Sequence, residues 1–195
     1  MTQTEDINVF PTLVRAVSKF LTVSECSEIV SNIDRSELAA HKALVGNAVS
    51  NHISQKERSL ESINRYFNIK DRLKLELDRY SETTGISNTD FANSWISIQY
   101  KNSELQIHTH PLSAISGVIY LLVDEDSSKL NFFNPNPFMN ITEISEYTPY
   151  TFGKFWITPK IGDLILFPSW LSHGSDGINN SDERIILSFN TYYTK

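Results

Sequence analysis

The sequence predicts an α+β fold in which a mainly helical part, residues 1–90, precedes a β-rich part, residues 91–195. Up to about residue 86, apolar residues recur at helical spacing. From residue 91 onward, short runs of β-branched and aromatic residues alternate with turn residues. The length of 195 residues suits one domain with its own core. We therefore expect a single domain whose β-rich part carries the functional motifs.

Two segments of the first part have helix signals. In "TVSE", Thr22 and Glu25 form a capping box that apolar residues follow at helical spacing. A longer helix is predicted across "SLESINRYFNIKDRLKLELDRYSETTG", and Gly85 is expected to end it. The period slips near Asn68, so two helices are an alternative. The periodic apolar positions of this segment are Leu60, Ile63, Phe67, Leu73 and Leu77.

The second part contains six predicted strands, which favour an antiparallel sandwich or barrel. Their sequences are "SWISIQY", "ISGVIYLLV", "KLNFF", "KFWITP", "GDLILFP" and "RIILSFNTYY". A long proline-containing connection separates the third strand from the fourth. Connections of this length in compact domains often serve as lids or binding loops. The loop from Asn134 to Trp156 is therefore the candidate lid.

Composition narrows the classes of function and location. The net charge is −6 without a basic run, which argues against nucleic acid or an anionic membrane surface as the main partner. Cys26 is the single cysteine, so an intrachain disulfide and a cysteine-based zinc site are excluded. The sequence shows neither a signal-peptide pattern nor an apolar stretch of about 20 residues. We expect a cytoplasmic protein, and the sequence leaves its oligomeric state open.

Histidines form the most informative pattern. His108 and His110, in "LQIHTHPLSAISGVIYLLV", would share one face of a strand and could bind one transition-metal ion. His173, in "GDLILFPSWLSHGSDG", follows another apolar strand about sixty residues later. A metal site assembled across a β-sandwich would have this order, whereas polar residues at a strand edge are the alternative. His41 and His52 are interpreted as surface residues of the helical part.

Arg184 begins the predicted strand "RIILSFN", where it shares a face with Ile186, Ser188 and Asn190. An inward guanidinium is costly unless it meets a planar anion, and its geometry suits bidentate binding of a carboxylate. The alternatives are exposure at the start of the strand or an internal salt bridge, for which the candidates are Asp163, Asp176 and Glu183.

The run "HTHP…ISGVIYL…KLNFF…GDLILFPSWLSH…ERIILSFN" resembles the 2-oxoglutarate- and Fe(II)-dependent oxygenases. It is most similar to a small-domain group of bacteria and phages that is distantly prolyl-hydroxylase-like, and the resemblance covers most of residues 91–192. It implies a double-stranded β-helix, or jelly roll, with N-terminal helices packed against it. It also implies a dioxygenase, in particular a hydroxylase, that couples decarboxylation of 2-oxoglutarate to oxidation of an unknown substrate.

The resemblance implies a ligand set for the iron. The family binds iron through His-x-Asp/Glu and a distal histidine, which His108 and His173 match. His110 stands where the family usually has the carboxylate. The favoured interpretation is a neutral triad of three imidazoles. Two others stay open: a missing third ligand that leaves room for another anion, and a different metal, such as zinc. Trp95 and Gln99 lie near this site by the same alignment, without an assigned role.

Four further residues are implied as the binding site of 2-oxoglutarate. Arg184 matches the basic residue that binds the distal carboxylate, and Tyr120 matches a tyrosine that binds the same group. The family's serine two residues after the arginine is Ile186 here, so that contact is missing or moves to Ser188. Asn190 would face the metal region. The implied cofactors are therefore Fe(II) and 2-oxoglutarate as co-substrate.

Two other functions compete with this interpretation. A cupin-type metal-dependent dioxygenase or isomerase, which does not use 2-oxoglutarate, shares the jelly roll and the His-x-His pattern. The glutamate that a cupin needs soon after His110 is absent. Where a cupin has a glycine after the proline, this sequence has Trp170. The third candidate is a jelly-roll binding module without enzymatic activity. The sequence leaves the primary substrate open in every case.

Overall fold

The computed structural model describes residues 3–52, 61, 68–86, 89–140 and 143–194. In this part of the chain the α-helices are α1 (Val23–Ser31) and α2 (Ile69–Thr84), and short 3₁₀ helices span Arg35–Glu37 and Pro137–Asn140. The strands are β1 (Arg15–Val17), β2 (Leu44–Ser50), β3 (Thr89–Leu105), β4 (Ile115–Leu122), β5 (Leu130–Phe133), β6 (Lys154–Ile157), β7 (Leu164–Pro168), β8 (His173–Ser175) and β9 (Glu183–Tyr193).

Two antiparallel sheets face each other. The major sheet has six strands in the order β1-β7-β4-β9-β3-β2, and the minor sheet has the order β6-β5-β8. One face of the major sheet packs against α1 and α2 through residues such as Ile119 and Leu187. Its other face meets the minor sheet through residues such as Val118, Phe132 and Ile186. Burial on both faces explains why the central strands are almost continuously apolar.

The predicted elements of the β-rich part form as expected, since β3 to β7 and β9 coincide with the six predicted runs. Helix α1 begins at the predicted capping box: the Thr22 hydroxyl accepts from the Glu25 amide at 3.2 Å, and the Glu25 carboxylate accepts from the Thr22 amide at 2.7 Å. Helix α2 ends at Gly85, whose φ is 73°. The predicted helical positions Leu60, Ile63 and Phe67 lie outside the described residues.

The first part of the chain is not only helical, because β1 and β2 join the two edges of the major sheet. β2 pairs with β3, and the register shifts between Gly46 and Ala48. Alternation of apolar and polar residues is therefore interrupted within the strand, which hides it from periodicity arguments. His41 and His52 flank this strand, so their assignment to a helical segment is wrong.

The His-x-His pair also lies in a different backbone setting from the one predicted. His108 and His110 belong to the connection between β3 and β4 rather than to a strand of the ladder. The His108 amide donates to the His173 carbonyl at 2.9 Å, and the His173 amide donates back to the His108 carbonyl at 3.0 Å. This isolated bridge joins the connection to the start of β8.

Among the described helices, none combines the length and the apolar content that crossing a bilayer requires.

Candidate metal centre

A cavity of about 220 Å³ opens between the two sheets. Its floor consists of the side chains of β3, β4 and β9 that point away from the helices. All five histidines of the sequence lie in its wall: His41, His52, His108, His110 and His173. The concentration of every imidazole of the chain at one concave site makes this cavity the candidate functional site.

Three of these histidines converge. The ligand nitrogens of His108, His110 and His173 lie within 4.8 Å of one another. The His108 and His173 ring centroids are 4.3 Å apart, and that of His110 lies 4.9 Å and 5.1 Å from them. The backbone fixes this arrangement, because His108 bridges His173 and the His110 amide donates to the Ser169 carbonyl at 2.9 Å. The predicted convergence of two distant segments is present, and its spacing suits one shared cation.

Hydrogen bonds to the backbone orient two of the three imidazoles. His108 Nδ1 lies 2.8 Å from the Gln106 carbonyl, and His173 Nδ1 lies 2.9 Å from the Leu171 carbonyl. A carbonyl oxygen only accepts, so Nδ1 carries the proton in both rings. Nε2 then keeps its lone pair, which is the arrangement of a metal-binding histidine held by its other ring nitrogen.

Burial keeps these imidazoles neutral. Loss of solvation, together with repulsion from the neighbouring imidazoles, lowers the pKa of His110 to about 3. The same causes lower the pKa of His173 to about 4, and burial also lowers the pKa of His108. A metal ion binds the unprotonated nitrogen, so all three rings are ready to bind one at neutral pH.

A second group of buried polar side chains surrounds Arg184 in the same cavity. Arg184 is only 3% exposed, and its Nη1 donates to the side-chain oxygen Oε1 of Gln99. Its guanidinium carbon lies 5.4 Å from the centre of the Tyr120 ring. Arg184 Nε, the Tyr120 hydroxyl and Gln99 Nε2 are buried, and they have no hydrogen-bond partner among the described residues. Burial lowers the pKa of Arg184 and raises that of Tyr120 to about 12.

The two alternatives for Arg184 do not apply. It is buried rather than exposed, and the ion pairs of the described residues do not include it, since Glu183 pairs with Arg35. Arg184 Nε and the Gln99 amide nitrogen can only donate, and the protonated Tyr120 hydroxyl can donate as well. A cluster of buried donors around one cation is costly unless an anion accepts from it, and a carboxylate has the matching planar geometry.

The other implied residues occupy different positions. Ser188 and Ile186 both line the cavity, and Ile186 also packs in the apolar layer between the sheets. Asn190 lies behind the wall: it accepts from the Ser116 hydroxyl at 2.7 Å and donates to the Asn93 side chain at 3.1 Å. Its contact with the cavity is therefore indirect, through Ser116.

Sequence reasoning missed two residues of the cavity and left two others without a role. His41 and His52 are half-buried parts of the wall, so their interpretation as surface residues is wrong. Trp95 lies between His52 and His110, and Gln99 accepts from Arg184. Recognising β2 as a strand would have brought both of its flanking histidines to the sheet edge and to this site.

The candidate lid lies apart from the cavity. Within the described part of residues 134–156, the side chains stay outside the cavity wall. Several aromatic residues of this segment are exposed, namely Phe138, Tyr147, Tyr150, Phe155 and Trp156. The function of this segment as a lid therefore stays a prediction.

Comparison with known families identifies the chain. The family described as "Putative 2OG-Fe(II) oxygenase" matches residues 93–190, which contain the three converging histidines and Arg184. The chain belongs to this family. The oxygenase accordingly uses Fe(II) and 2-oxoglutarate, and the expected class of 2-oxoglutarate-dependent dioxygenase is confirmed. The cupin and the non-enzymatic alternatives are set aside. Curated proteins give no match.

Solved structures share the fold of the oxygenase. A Pseudomonas putida prolyl-4-hydroxylase is 16% identical over 94% of both chains, with a TM-score of 0.65. The viral collagen prolyl hydroxylase of Paramecium bursaria Chlorella virus-1, in a 2-oxoglutarate complex, is 15% identical over 93% of this chain and 96% of its own, with a TM-score of 0.60. HygX from Streptomyces hygroscopicus, with nickel and 2-oxoglutarate bound, is 12% identical over 94% of this chain and 84% of its own, with a TM-score of 0.62. The predicted jelly roll is thus confirmed.

Proposed function

We propose that the oxygenase hydroxylates a small molecule at an Fe(II) centre held by His108, His110 and His173, with 2-oxoglutarate between this centre and Arg184. The observation that carries the proposal is the coexistence, in one cavity, of three converging neutral imidazoles and a buried arginine that forms no ion pair with the described residues. When bound, Fe(II) and 2-oxoglutarate supply the oxidising chemistry, in which decarboxylation to succinate accompanies oxidation of a substrate C–H bond.

Each side chain then has a role in binding. Arg184 and Tyr120 donate to the distal carboxylate of 2-oxoglutarate, and Gln99 holds the guanidinium in place. Ser188 contributes a hydroxyl to the other end of the cavity, where it pairs with Trp95, and Asn190 orients Ser116. The Arg184 guanidinium and the Tyr120 hydroxyl are well suited to bind the carboxylate. Both are buried with polar atoms that lack a partner among the described residues, and both gain a charge-assisted hydrogen bond when the carboxylate binds.

The imidazole triad is the favoured form of the metal centre. His110 is held by its backbone and lies as close to His108 as a shared ion requires, which argues against a missing third ligand. The two negative charges of 2-oxoglutarate offset the two positive charges of Fe(II). A site with three neutral protein ligands can therefore still bind Fe(II) together with 2-oxoglutarate. The family favours iron over zinc as this ion.

We further propose a single-domain enzyme of a reducing, cytoplasmic compartment. A partly buried Ile161 packs against both hydrophobic clusters, which supports one continuous unit. The single cysteine, Cys26, is buried and free. The net charge of −6 favours a small molecule over nucleic acid as the primary substrate.

Uncoupled turnover tests the proposed function without knowledge of the substrate. With Fe(II), oxygen and ascorbate, which supplies the two electrons that a substrate would otherwise give, we expect the protein to convert 2-oxoglutarate slowly to succinate and CO2. His108→Ala and His173→Ala should abolish both this turnover and stoichiometric Fe(II) binding under anaerobic conditions. His41→Ala is the matched control and should still bind one Fe(II). Fe(II) binding by His108→Ala or His173→Ala at wild-type affinity would contradict the proposed ligand set.

A further inference from the structure

The cavity has two ends along the sheet. Gln99 pairs with Arg184, and Trp95, four residues earlier on the same face of β3, pairs with Ser188. Four residues of a strand span about 13 Å, so the two ends are well separated. If the proposed function is correct, 2-oxoglutarate occupies the Arg184 end. The Trp95 end is then the place for the primary substrate.

Two imidazoles extend the Trp95 end. Ala39 and Ser50 exchange backbone hydrogen bonds of 2.9 Å and 2.7 Å, which draw the chain before β2 alongside the end of that strand. The His41 and His52 rings consequently lie 4.4 Å apart, and His52 meets Trp95 edge-on at 4.6 Å. Since Trp95 lies 5.8 Å from His110, this row of rings reaches the metal centre.

The ring nitrogens of His41 and His52 form no hydrogen bond with the residues that the structure describes. Across the described part of the chain, no side-chain hydrogen bond involves the ring nitrogens of His41 or His52, in contrast to His108 and His173. Both rings are half-buried in the cavity wall, and each neutral imidazole offers one N–H donor. They can therefore donate to a ligand without breaking an internal contact.

The charge of the cavity indicates the kind of ligand. Among the described residues of the wall, Arg184 is the one permanently charged side chain, and aspartate and glutamate are absent. The charges of Fe(II) and 2-oxoglutarate cancel, so the charge of Arg184 remains in excess. Asp163 and Asp176 act on Tyr120 and Arg184 from outside the wall. Asp176 is exposed, so solvent screens it, and Asp163 accepts from the Lys19 amide at 3.0 Å.

We infer that the primary substrate carries one oxyanion, a carboxylate or a phosphate, that accepts hydrogen bonds from His41 and His52 while its adjoining carbon atoms contact Trp95. This inference rests on the proposed function. It follows from two donors without partners, an aromatic surface beside the metal centre, and an excess positive charge in a cavity that partly excludes water. A neutral substrate would leave that charge uncompensated.

Binding of matched probes tests the inference. The protein is loaded with Zn(II), which is redox-inert, and with N-oxalylglycine, an analogue of 2-oxoglutarate that cannot be decarboxylated. Calorimetric titrations then compare benzoate, phenyl phosphate and neutral benzamide, which share an aromatic ring. We expect the better of the two oxyanions to bind about tenfold or more tightly than benzamide, and their order identifies the preferred group.

Variants attribute this preference to the two imidazoles. The double variant His41→Phe/His52→Phe keeps the rings but lacks the donors, and it should bind benzoate no more tightly than benzamide. His41→Gln/His52→Gln, which retains donors, should recover part of the preference. His110→Asp adds a negative charge beside the metal and should also lower the preference for oxyanions over benzamide. Equal binding of all three probes by the wild type, or an oxyanion preference that survives in the phenylalanine variant, would overturn the inference.

The same titrations separate this inference from the proposed function. Stoichiometric Zn(II) binding and N-oxalylglycine affinity depend on the metal ligands and Arg184, and the phenylalanine variant should retain both. If the wild type binds Zn(II) and N-oxalylglycine but shows no preference for oxyanions, only the inference fails. If it binds neither, the proposed function and the inference fail together.

Discussion

At the scale of single residues, Arg184 supports the sharpest prediction. Arg184→Ala removes the buried partner of a desolvated carboxylate, which costs about 2–5 kcal/mol. We therefore expect the KM for 2-oxoglutarate in succinate formation to rise about 30-fold or more. Arg35→Ala is the matched control, because Arg35 is a more exposed arginine that pairs with Glu183, the neighbour of Arg184. A wild-type KM for Arg184→Ala would remove this residue from the site.

Replacement of Tyr120 should change the stability of the protein and its affinity for N-oxalylglycine in opposite directions. Its buried hydroxyl has no hydrogen-bond partner in the described part of the chain, and such a group costs about 1–3 kcal/mol. Tyr120→Phe should therefore raise the free energy of unfolding of the ligand-free protein in urea. The same change should weaken binding of N-oxalylglycine to the Zn(II)-loaded protein about fivefold or more, because one donor to the carboxylate is lost. A loss of stability together with unchanged binding would contradict the proposed role.

The sequence predicted some residues of the site and not others for a physical reason. His108, His110 and His173 stand out because histidine is scarce and their spacing matches a known pattern, and Arg184 follows at the start of a strand. The positions of His41 and His52 in the cavity wall depend on how β2 packs at the sheet edge, which no local sequence pattern records. Their convergence with the other histidines is a property of tertiary structure.

At the scale of elements, β2 supports a test of how the site is assembled. Gly46 has a φ of 79°, and a Cβ at this position would lie 2.1 Å from the Asn102 carbonyl oxygen. Gly46→Ala should lower the free energy of unfolding in urea by at least about 2 kcal/mol, since the clash adds to the backbone strain. It should also weaken any oxyanion preference, because His41 and His52 flank this strand.

Gly85 provides the matched control for Gly46. Its φ is 73°, but a Cβ there would meet nothing within 4 Å. Gly85→Ala should therefore cost only the strain of the left-handed conformation, about 1 kcal/mol, and leave ligand binding unchanged. Equal losses of stability for the two variants would show that the contact with Asn102 contributes nothing.

The predictability of the elements followed their burial and length. Strands such as β4 and β9 are long and apolar, so composition and turn residues predicted them. β1 and β8 have three residues each, too few for a periodic pattern, and β2 contains a register shift. Of these missed strands, β8 brings His173 to the cavity and β2 brings the pair of His41 and His52. The least predictable elements are therefore those that complete the site.

At the scale of the whole molecule, the fold class was predictable because the two halves of the chain differ in texture. The major sheet separates a helix-facing hydrophobic cluster from the one between the sheets. The cavity replaces part of the second layer with polar side chains, including the buried Arg184 and Gln99. Buried polar atoms that lack a hydrogen-bond partner cost free energy, and a ligand that supplies the partner removes this cost. Ligand binding and stability should therefore be coupled in the oxygenase.

This coupling gives a prediction for the metal. A divalent ion that binds the folded protein and not the unfolded chain stabilises it by about 2.7 kcal/mol at a free concentration one hundred times the Kd. Zn(II) should therefore raise the Tm of the wild type, and excess EDTA should reverse the rise.

His108→Ala should lose this response, while its backbone hydrogen bonds with His173 can still form. His41→Phe should keep the response, because this residue lies outside the ligand set. An equal rise in Tm for wild type and His108→Ala would mean that the ion binds elsewhere. A cation that joins the segments of His108 and His173 would then not contribute to the stability of the fold.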